Sequence, residues 1–590
     1  MIGVRCPPSR EEPPTRNQEI ARLLDDIAVL LELQGDSPYR VGAYREAARR
    51  IENMPEDIEA LWQEGRLREI PGVGESIAAK IDEYLSTGQL RYYEYLKREV
   101  KPGVASLLSV PGLGPRRARL IYDRLGVTNI EELAEAARQH QLRTLPGLGA
   151  RSEENILREI HRLQQRTSRM LLGVALPVAE HVVQMLRGHP AIQRASPAGS
   201  IRRMRETIGD IDILIASSRP REAMEAFTTL PIVKEVLAVG GTKASILTRE
   251  ELQIDARVVD PANWGAALQY FTGSKSHNIA LRELAISEGY KVNEYGVFRD
   301  STGERVGGER EEDVYRILGL SMIPPELREN RGEIEAARFG RLPKLVERND
   351  IKGDLHVHTD WSDGSASLPQ MVEAARALGY QYLAITDHSG SLGIAHGLLP
   401  ERLREQRRQI DRLNESVAPF RILAGSEVDI RADGTLNFDD RVLADLEIVT
   451  ASVHSAFGQS RERMTQRIVR ALRNPHVDVL NHPMGRLLNK REGYDVDLEI
   501  VLRAAAETGT IIEINSSPER LDLDDVWARR AKELGVTLVI NTDAHSPQTL
   551  ANMRYGVAVA RRGWLEAANV LNTLPVAALL RRLRTRRRAA

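Results

Sequence analysis

The chain has 590 residues, with 82 Lys and Arg against 83 Asp and Glu, and a single cysteine, Cys6. That length implies roughly three to five domains. One cysteine excludes an intramolecular disulfide or a cysteine-based metal site and fits a reducing cytoplasm. No apolar run approaches the roughly 20 residues of a membrane span and no signal-peptide pattern opens the chain, so a soluble cytoplasmic protein is expected, a monomer by default. Balanced overall charge does not exclude a nucleic-acid partner, because clustered basic residues suffice.

Residues 1–16, with Pro7, Pro8, Pro13 and Pro14, read as a disordered extension. Residues 17–98 carry helical periodicity, as in IARLLDDIAVLLEL. LREIPGVGESIAAKI, LLSVPGLGPRRARLI and LRTLPGLGARSEENI then repeat one pattern, Pro-Gly-x-Gly between two helical stretches, the last two within residues 99–175. The glycine pairs Gly72 and Gly74, Gly112 and Gly114, and Gly147 and Gly149 permit a tight turn. They also leave amides uncovered at the start of the next helix, where the positive helix end attracts a phosphate. One copy can be a plain helix connector; three point to DNA-backbone binding without base preference.

Residues 176–260 mix helix and strand around GSIRRMRETIGDIDIL. Asp210 and Asp212 alternate with Ile211, Ile213 and Ile215, so on a strand both carboxylates share one face and the isoleucines bury on the other. Two acids so close repel unless a cation lies between them, and hard oxygen donors suit Mg²⁺ or Mn²⁺. Asp255, in LQIDARVV, alternates with Ile254 and Val258 and makes a third carboxylate. Three on adjacent strands can hold two divalent ions. Gly199, Ser200, Arg202 and Arg203 supply a turn, a hydroxyl and guanidinium groups of the kind a triphosphate needs.

Residues 261–323 continue as mixed α/β, with a strand expected over Asn293–Phe298, and Pro324-Pro325 opens a polar linker, 324–350. From 351 to 575, seven short apolar strands alternate with helical segments: DLHVHT, YLAITDH, RILAGSEVDI, IVTASVHS, VDVLNHP, TIIEINSS and TLVINTDAH. Such alternation implies parallel strands able to close into a barrel whose chemistry lies at the strand ends. Six of the seven end in a metal-type ligand: His356 and His358, His388, Glu427, His454, His482, and Asp543 with His545. Asp363 in the loop WSDG makes nine. Imidazoles with interspersed carboxylates favour Zn²⁺, Mn²⁺ or Fe over Mg²⁺, and nine ligands can serve two or three ions. Residues 576–590 end in RRLRTRRRAA, a basic tail that either touches DNA or is solvated.

GSIRR…GDIDIL, the later Asp255 and the run YFTGSKSHN resemble the nucleotidyltransferase palm and the thumb (nucleotide-selection) domain of family X DNA polymerases, and the Pro-Gly-x-Gly repeats resemble helix-hairpin-helix (HhH) motifs. The resemblance implies that Asp210, Asp212 and Asp255 ligate the metals, with Asp255 helping to deprotonate the primer 3′ hydroxyl. Ser200, Arg203 and Gly209 would contact the triphosphate; Tyr270, Phe271 and Gly273 would sense the sugar; Asn278 and Arg282 would meet the base or template side. It also matches Lys80 to a Schiff-base lysine of a lyase-type domain, although Ser76 stands where a second lysine would strengthen the match. A phosphate-contacting or solvated lysine is the alternative. HVHTDWSDG, TDHS, GSE, SVH, NHP and TDAH resemble the polymerase and histidinol phosphatase (PHP) domain, a distorted seven-stranded barrel that hydrolyses phosphoesters at a trinuclear site.

The fold class implied is multidomain: helical HhH lyase-like and fingers domains, an α/β palm and thumb, and a C-terminal (β/α)7 PHP barrel. The activity implied is a DNA polymerase that fills short gaps in repair from dNTPs on gapped or primed DNA. Mg²⁺ or Mn²⁺ would serve the palm, and two to three Mn²⁺ or Zn²⁺ ions a 3′-5′ exonuclease in the barrel. Two alternatives stand beside it: a barrel that hydrolyses a small phosphate compound such as pyrophosphate, and a non-enzymatic DNA-binding scaffold.

Overall fold

The computed structural model describes residues 16–34, 36–54, 58–99, 107, 110, 113–167, 169–390 and 396–589. The expected extension therefore lies outside the described residues apart from Arg16, which opens a helix, and so does Gly112. The chain divides into two compact units, residues 1–168 and 169–590.

The first unit is helical. Helices Arg16–Gln34, Pro38–Asn53, Ile58–Gln63, Glu75–Thr87 and Arg91–Glu99 enclose a core that includes Ile20, Leu24, Ile27, Tyr44, Ile51, Ile77 and Ile81. A separate core unites Pro115–Leu125, Ile130–Arg138 and Ala150–Thr167 through Ile121, Leu133, Leu142, Leu148 and Ile156. The hairpins take the form the repeat predicts. Gly72 and Gly147 sit at φ 89° and 78°, where an L side chain is strained. Gly74 and Gly114 stand at helix N-caps with no side-chain hydrogen bond, so the first amides of those helices stay uncovered.

The second unit starts seven residues before the expected palm boundary. Strand Met170–Leu171 and helix Leu172–Arg187 bury Leu172, Leu176, Val183 and Leu186 against the palm sheet. That sheet has five strands, β1 (Arg194–Pro197), β2 (Ile211–Ala216), β3 (Val233–Val239), β4 (Lys243–Thr248) and β5 (Gln253–Val259), in the order β1-β2-β5-β4-β3. Strands β2 and β5 run parallel, with Asp212 opposite Asp255. In the thumb, the single strand expected over Asn293–Phe298 is instead a hairpin: Tyr290–Asn293 pairs antiparallel with Gly296–Arg299. Asn293 Oδ1 accepts the Tyr295 amide (2.9 Å) and turns the chain.

Residues 324–350 are not a loose linker. Helix Glu333–Arg338 forms there, Leu327, Ala337 and Leu345 join the thumb core, and Arg328 is fully buried on Glu311. Their apolar residues are sparse but several pack into one core, which composition alone hides. The basic tail likewise enters helix Val576–Ala589, whose Leu579 and Leu583 plug the barrel floor.

The barrel strands are β6 (Gly353–Asp354), β7 (Tyr382–Ile385), β8 (Arg421–Asp429), β9 (Ile448–Ser452), β10 (Val479–Leu480), β11 (Ile511–Asn515) and β12 (Leu538–Asn541). They pair in parallel in sequence order, and a parallel bridge from Val357 to Ala544 brings the last strand back to the first. Palm and barrel share one hydrophobic core and a buried ion network. Arg562 donates to the Arg203 carbonyl (2.9 Å), Glu329 (3.0 Å) and Asp525 (2.8 Å), while Arg203 Nε donates to Glu329 (2.9 Å).

Candidate functional sites

In the palm, Ile211, Ile213 and Ile215 are buried, as the alternation requires, and Asp212 faces the opposite side. Gly199, at φ 59°, leaves no room for a side chain: a Cβ would lie 2.0 Å from Asp212 Oδ2. The Gly-Ser turn is therefore pressed onto the metal-type carboxylate. Asp212 has its pKa pushed up to about 7, first by burial and then by Asp210 and Asp255 beside it. Like charges gathered on one buried face repel, so holding the proton is the cheaper state without a cation. Asp255 differs. Burial opposes its ionisation, but hydrogen bonds from Gln253 (2.9 Å), Ser245 and Lys243 hold its pKa below the ordinary range. Lys243 Nζ stands 3.2 Å from its Oδ2. Asp210, Asp212 and Asp255 do not bring three ligand atoms within 4.8 Å of one another, as the barrel groups below do.

The neighbours expected around a nucleotide hold one another. Arg203 donates to Glu329 and to the Thr272 carbonyl (2.8 Å), and Arg202 forks onto Glu311 (2.6 and 2.7 Å). Ser200 and Gly209 flank the carboxylates, on the turn Gly199–Arg202 and directly before Asp210. Tyr270 and Phe271 meet edge to face at 5.1 Å, with the Arg257 guanidinium 4.7 Å over Phe271. Asn278 is bound inward: its Nδ2 donates to the carbonyls of Tyr270 (2.7 Å) and Gly273 (3.2 Å), so it braces the Tyr-Phe-Thr-Gly turn. Gly273 lacks room for a Cβ beside Asn278 Oδ1 (2.4 Å), and exposed Arg282 donates to the Asn278 carbonyl (3.1 Å). The sequence reading missed Arg169, which donates to Thr207 (2.8 Å to Oγ1 and 2.7 Å to its carbonyl) and has a guanidinium nitrogen 3.7 Å from where a Gly209 Cβ would be.

At the barrel mouth the predicted ligands converge. Three groups each bring their ligand atoms within 4.8 Å: His358, Asp363, His388 and His545; His356, His358 and Asp543; and His388, Glu427 and His454. His482 Nε2 joins at 3.0 Å from Glu427. Glu427 lies at the hub, also 3.0 Å from His388 Nδ1 and 3.4 Å from both His356 and His454. Burial works against its ionisation, yet His356, His454 and His388 hold its pKa far below the usual carboxylate range. Burial pulls His388 down, but Glu427 and Asp363 outweigh it and raise its pKa to about 10. His358, buried and crowded by His388 and His545, is pushed down to about 3. A proton-loaded cage of this composition is what a site for cations looks like when protons do the neutralising. Buried His358 Nδ1 and His388 Nδ1 have no hydrogen-bond partner, which fits lone pairs meant for metals.

The supporting carboxylates were not foreseen. Glu513, on β11, accepts His356 Nδ1 (2.7 Å) and the His482 amide (2.8 Å), and Asp429 accepts His454 Nδ1 (2.6 Å). Each fixes which ring nitrogen faces the cage. Strand β11 is the one without a terminal ligand, and its inward Glu was the signal available.

In the helical unit, Lys80 Nζ donates to Ser76 Oγ (2.9 Å) and to the Ser76 carbonyl (3.1 Å), and lies 4.8 Å from the Tyr92 ring centre. Burial, then Arg40, lowers its pKa.

Comparisons with known proteins agree with this division. Residues 15–90 match a helix-hairpin-helix domain, 104–162 a SAM-like helix-hairpin-helix tandem, 267–329 the DNA polymerase beta thumb and 354–517 the PHP domain. The DNA polymerase/3'-5' exonuclease PolX of Bacillus subtilis (strain 168) is 42% identical over 557 residues, covering 94% of this chain and 97% of that protein. A probable phosphatase of Thermoanaerobacter sp. (strain X514) is 32% identical over 37% of this chain and 89% of its own length. DNA polymerase lambda of Rattus norvegicus is 25% identical over 55% of this chain and 58% of its length. Near-full-length identity at this level shows the kinship: the chain belongs to the family X DNA polymerases, in the form that ends in a PHP barrel.

Proposed function

We propose that the palm adds nucleotides to a primer 3′ hydroxyl in short repair gaps and that the barrel removes 3′-terminal nucleotides. The observation that carries this is the presence, in one compact unit, of two separate acid-rich centres. One has Asp212 and Asp255 in register on parallel strands; the other is the His-carboxylate cage. Asp210, Asp212 and Asp255 would hold Mg²⁺ or Mn²⁺, and the nine barrel ligands two to three Mn²⁺ or Zn²⁺ ions. The ions supply charge neutralisation on the phosphate and, in the barrel, an acidified water. The chain's own residues do the rest. Ser200 and Gly209 seat the triphosphate, with Arg203, held on Glu329 and the Thr272 carbonyl, a fixed positive charge beside it; Tyr270, Phe271 and Gly273 bound the sugar, and Asn278 acts by pinning that turn while Arg282 faces the template side. Asp255, kept ionised by its hydrogen bonds, takes the primer proton once Lys243 releases it. The hairpin amides near Gly72, Gly74, Gly114, Gly147 and Gly149 hold the DNA backbone.

This reading assigns residues 17–98 to the lyase-like domain, 99–168 to the fingers, 169–260 to the palm, 261–350 to the thumb with its folded connection, and 351–589 to the barrel with its closing helix. It treats the protein as a cytoplasmic monomer. The test is a gapped duplex labelled on the primer, with extension and shortening scored together. Asp210→Ala/Asp212→Ala should lose extension only, and His356→Ala shortening only. Loss of both with either variant would reject two independent centres. The likeness to a probable phosphatase favours one competitor, a barrel acting on pyrophosphate. Pyrophosphate turnover without any shortening of DNA would establish that competitor.

We also propose that Lys80 attacks the sugar aldehyde of an abasic site. Burial and Arg40 favour the neutral amine this needs. Borohydride should trap the protein on such DNA, and Lys80→Ala should abolish the adduct. Undiminished trapping in the variant would exclude Lys80.

A further inference from the structure

Two loops flank the barrel ligand His482 and the cage carboxylate Asp543, and each carries an arginine that the metal cage does not explain. The first loop follows β11. Arg520 sits in it with its amide on the Ser517 carbonyl (2.8 Å), and its own carbonyl accepts Arg486 Nε (3.0 Å). The second loop follows His482. The Asp522 carboxylate accepts the amides of Met484 (3.1 Å) and Gly485 (2.8 Å), and the Leu488 amide donates to the Glu519 carbonyl (2.7 Å). The two loops are thus laced together by backbone bonds and hold their shape without a ligand.

Among the described residues, the Arg520 guanidinium has one carboxylate beside it, Asp543 at 3.5 Å, and no hydrogen bond. Arg491 comes from the other loop. Its Nη2 donates to the Gly485 carbonyl (3.0 Å), and its guanidinium lies 4.4 Å from the centre of the Phe457 ring, which stacks on Tyr494 at 6.1 Å. Arg491 holds the carbonyl of Gly485, whose amide donates to Asp522 two residues beyond Arg520, and burial and then the Arg520 charge lower the Arg491 pKa. Two guanidiniums on neighbouring loops repel, and the phosphate of a bound strand offsets that repulsion.

We propose that Arg520 and Arg491 form a binding site for the phosphodiester backbone of a nucleic-acid strand whose 3′ end lies in the barrel cage. This rests on reading the barrel as a 3′ nuclease and adds the residues that hold the strand upstream of the cage. A small phosphate in the cage meets Arg520 at most, because Gly485 and Phe457 fix Arg491 on the second loop. A backbone with a phosphate at every residue meets both. Guanidinium-phosphate contacts place the strand without reading bases.

The experiment uses the full chain with Mn²⁺ and two substrates, single-stranded tetrathymidylate and thymidine 5′-(p-nitrophenyl phosphate), which has one phosphodiester and no upstream strand. Arg491→Ala/Arg520→Ala should raise KM for tetrathymidylate about tenfold or more at little changed kcat. It should also lower the slope of log KM against log salt by about 1.4. Arg491→Ala alone, on the loop that Gly485 and Phe457 hold, should raise KM for tetrathymidylate severalfold and leave turnover of the ester within twofold, which also reports an intact cage. Arg491→Lys/Arg520→Lys should recover part of the KM. Equal loss of kcat on both substrates would mean that Arg520 acts through Asp543, and would overturn the proposal. So would an unchanged KM for the strand. If the parent protein turns over the ester but never shortens the strand, the nuclease reading itself fails, an outcome distinct from failure of the clamp in a working nuclease.

Discussion

The palm and the barrel store negative charge in opposite ways. In the palm, three carboxylates face one lysine, and the surplus leaves Asp212 holding a proton to about pH 7. In the barrel, acids and imidazoles alternate. Burial disfavours every charge there, yet Glu427 and Asp543 stay far below the usual range because His356 and its neighbours take up the protons. His356 is raised well above its ordinary value by Glu513, Asp543 and Glu427 against its burial. The barrel is therefore a finished cage that exchanges protons for metals. The palm is an unfinished one that a cation completes.

If the two centres are as separate as that contrast requires, their losses should not mix. Asp210→Ala/Asp212→Ala should cut primer extension on the order of 10³-fold or more while shortening stays within about twofold. His356→Ala/Asp543→Ala should do the converse. Extension and degradation measured on one gapped substrate check both, and a shared loss would break the comparison.

A finished cage should also depend on the groups that orient its ligands. Glu513 accepts His356 Nδ1, the His482 amide and Asn541 Nδ2 (3.0 Å) while standing behind the metal positions. Glu513→Gln should lower barrel metal affinity about 10- to 100-fold, read by chelator competition, and leave extension untouched. An affinity within twofold of the parent would mean that the imidazoles orient themselves.

The same contrast explains what the sequence made legible. Strand-end histidines and carboxylates follow a period of two and recur strand after strand, so the convergence of His356, His358, His388, Glu427, His454, His482, Asp543 and His545 could be read in order. Asp212 and Asp255 could be read for the same reason, though not their register. Glu513, mid-strand, and Asp429, at a strand end that Glu427 already supplied, went unread: the inward Glu of β11 was visible, but its role shows only once its partner histidine is placed. Arg203 was read as a free phosphate donor, yet Glu329 and Thr272 hold it, and Glu329 belongs to a segment whose polarity masked its packing. Asn278 was read as facing a base because a motif says which residues matter, not which way they point.

The smallest effect we expect is the most direct measure of the palm's unfinished charge. Asp212 is raised from an ordinary 3.8 to about 7 by burial, then Asp210 and Asp255. Between those values the folded state keeps a proton that the unfolded state has lost. Without a cation, stability from this group is therefore present below about pH 4 and falls as pH rises towards 7. A divalent ion must displace that proton, so below pH 7 each unit by which pH falls should raise the Mg²⁺ needed for half-maximal extension up to about tenfold, with little change above pH 8. Asp255 adds nothing to this slope, because its pKa lies below the ordinary range. Half-saturating Mg²⁺, rather than rate, is the quantity to titrate at pH 6, 7 and 8, since the attacking hydroxyl has its own pH dependence. A requirement that stays flat from pH 6 to 8 would mean that Asp212 is ionised before the metal arrives, and the palm would then be as finished as the barrel.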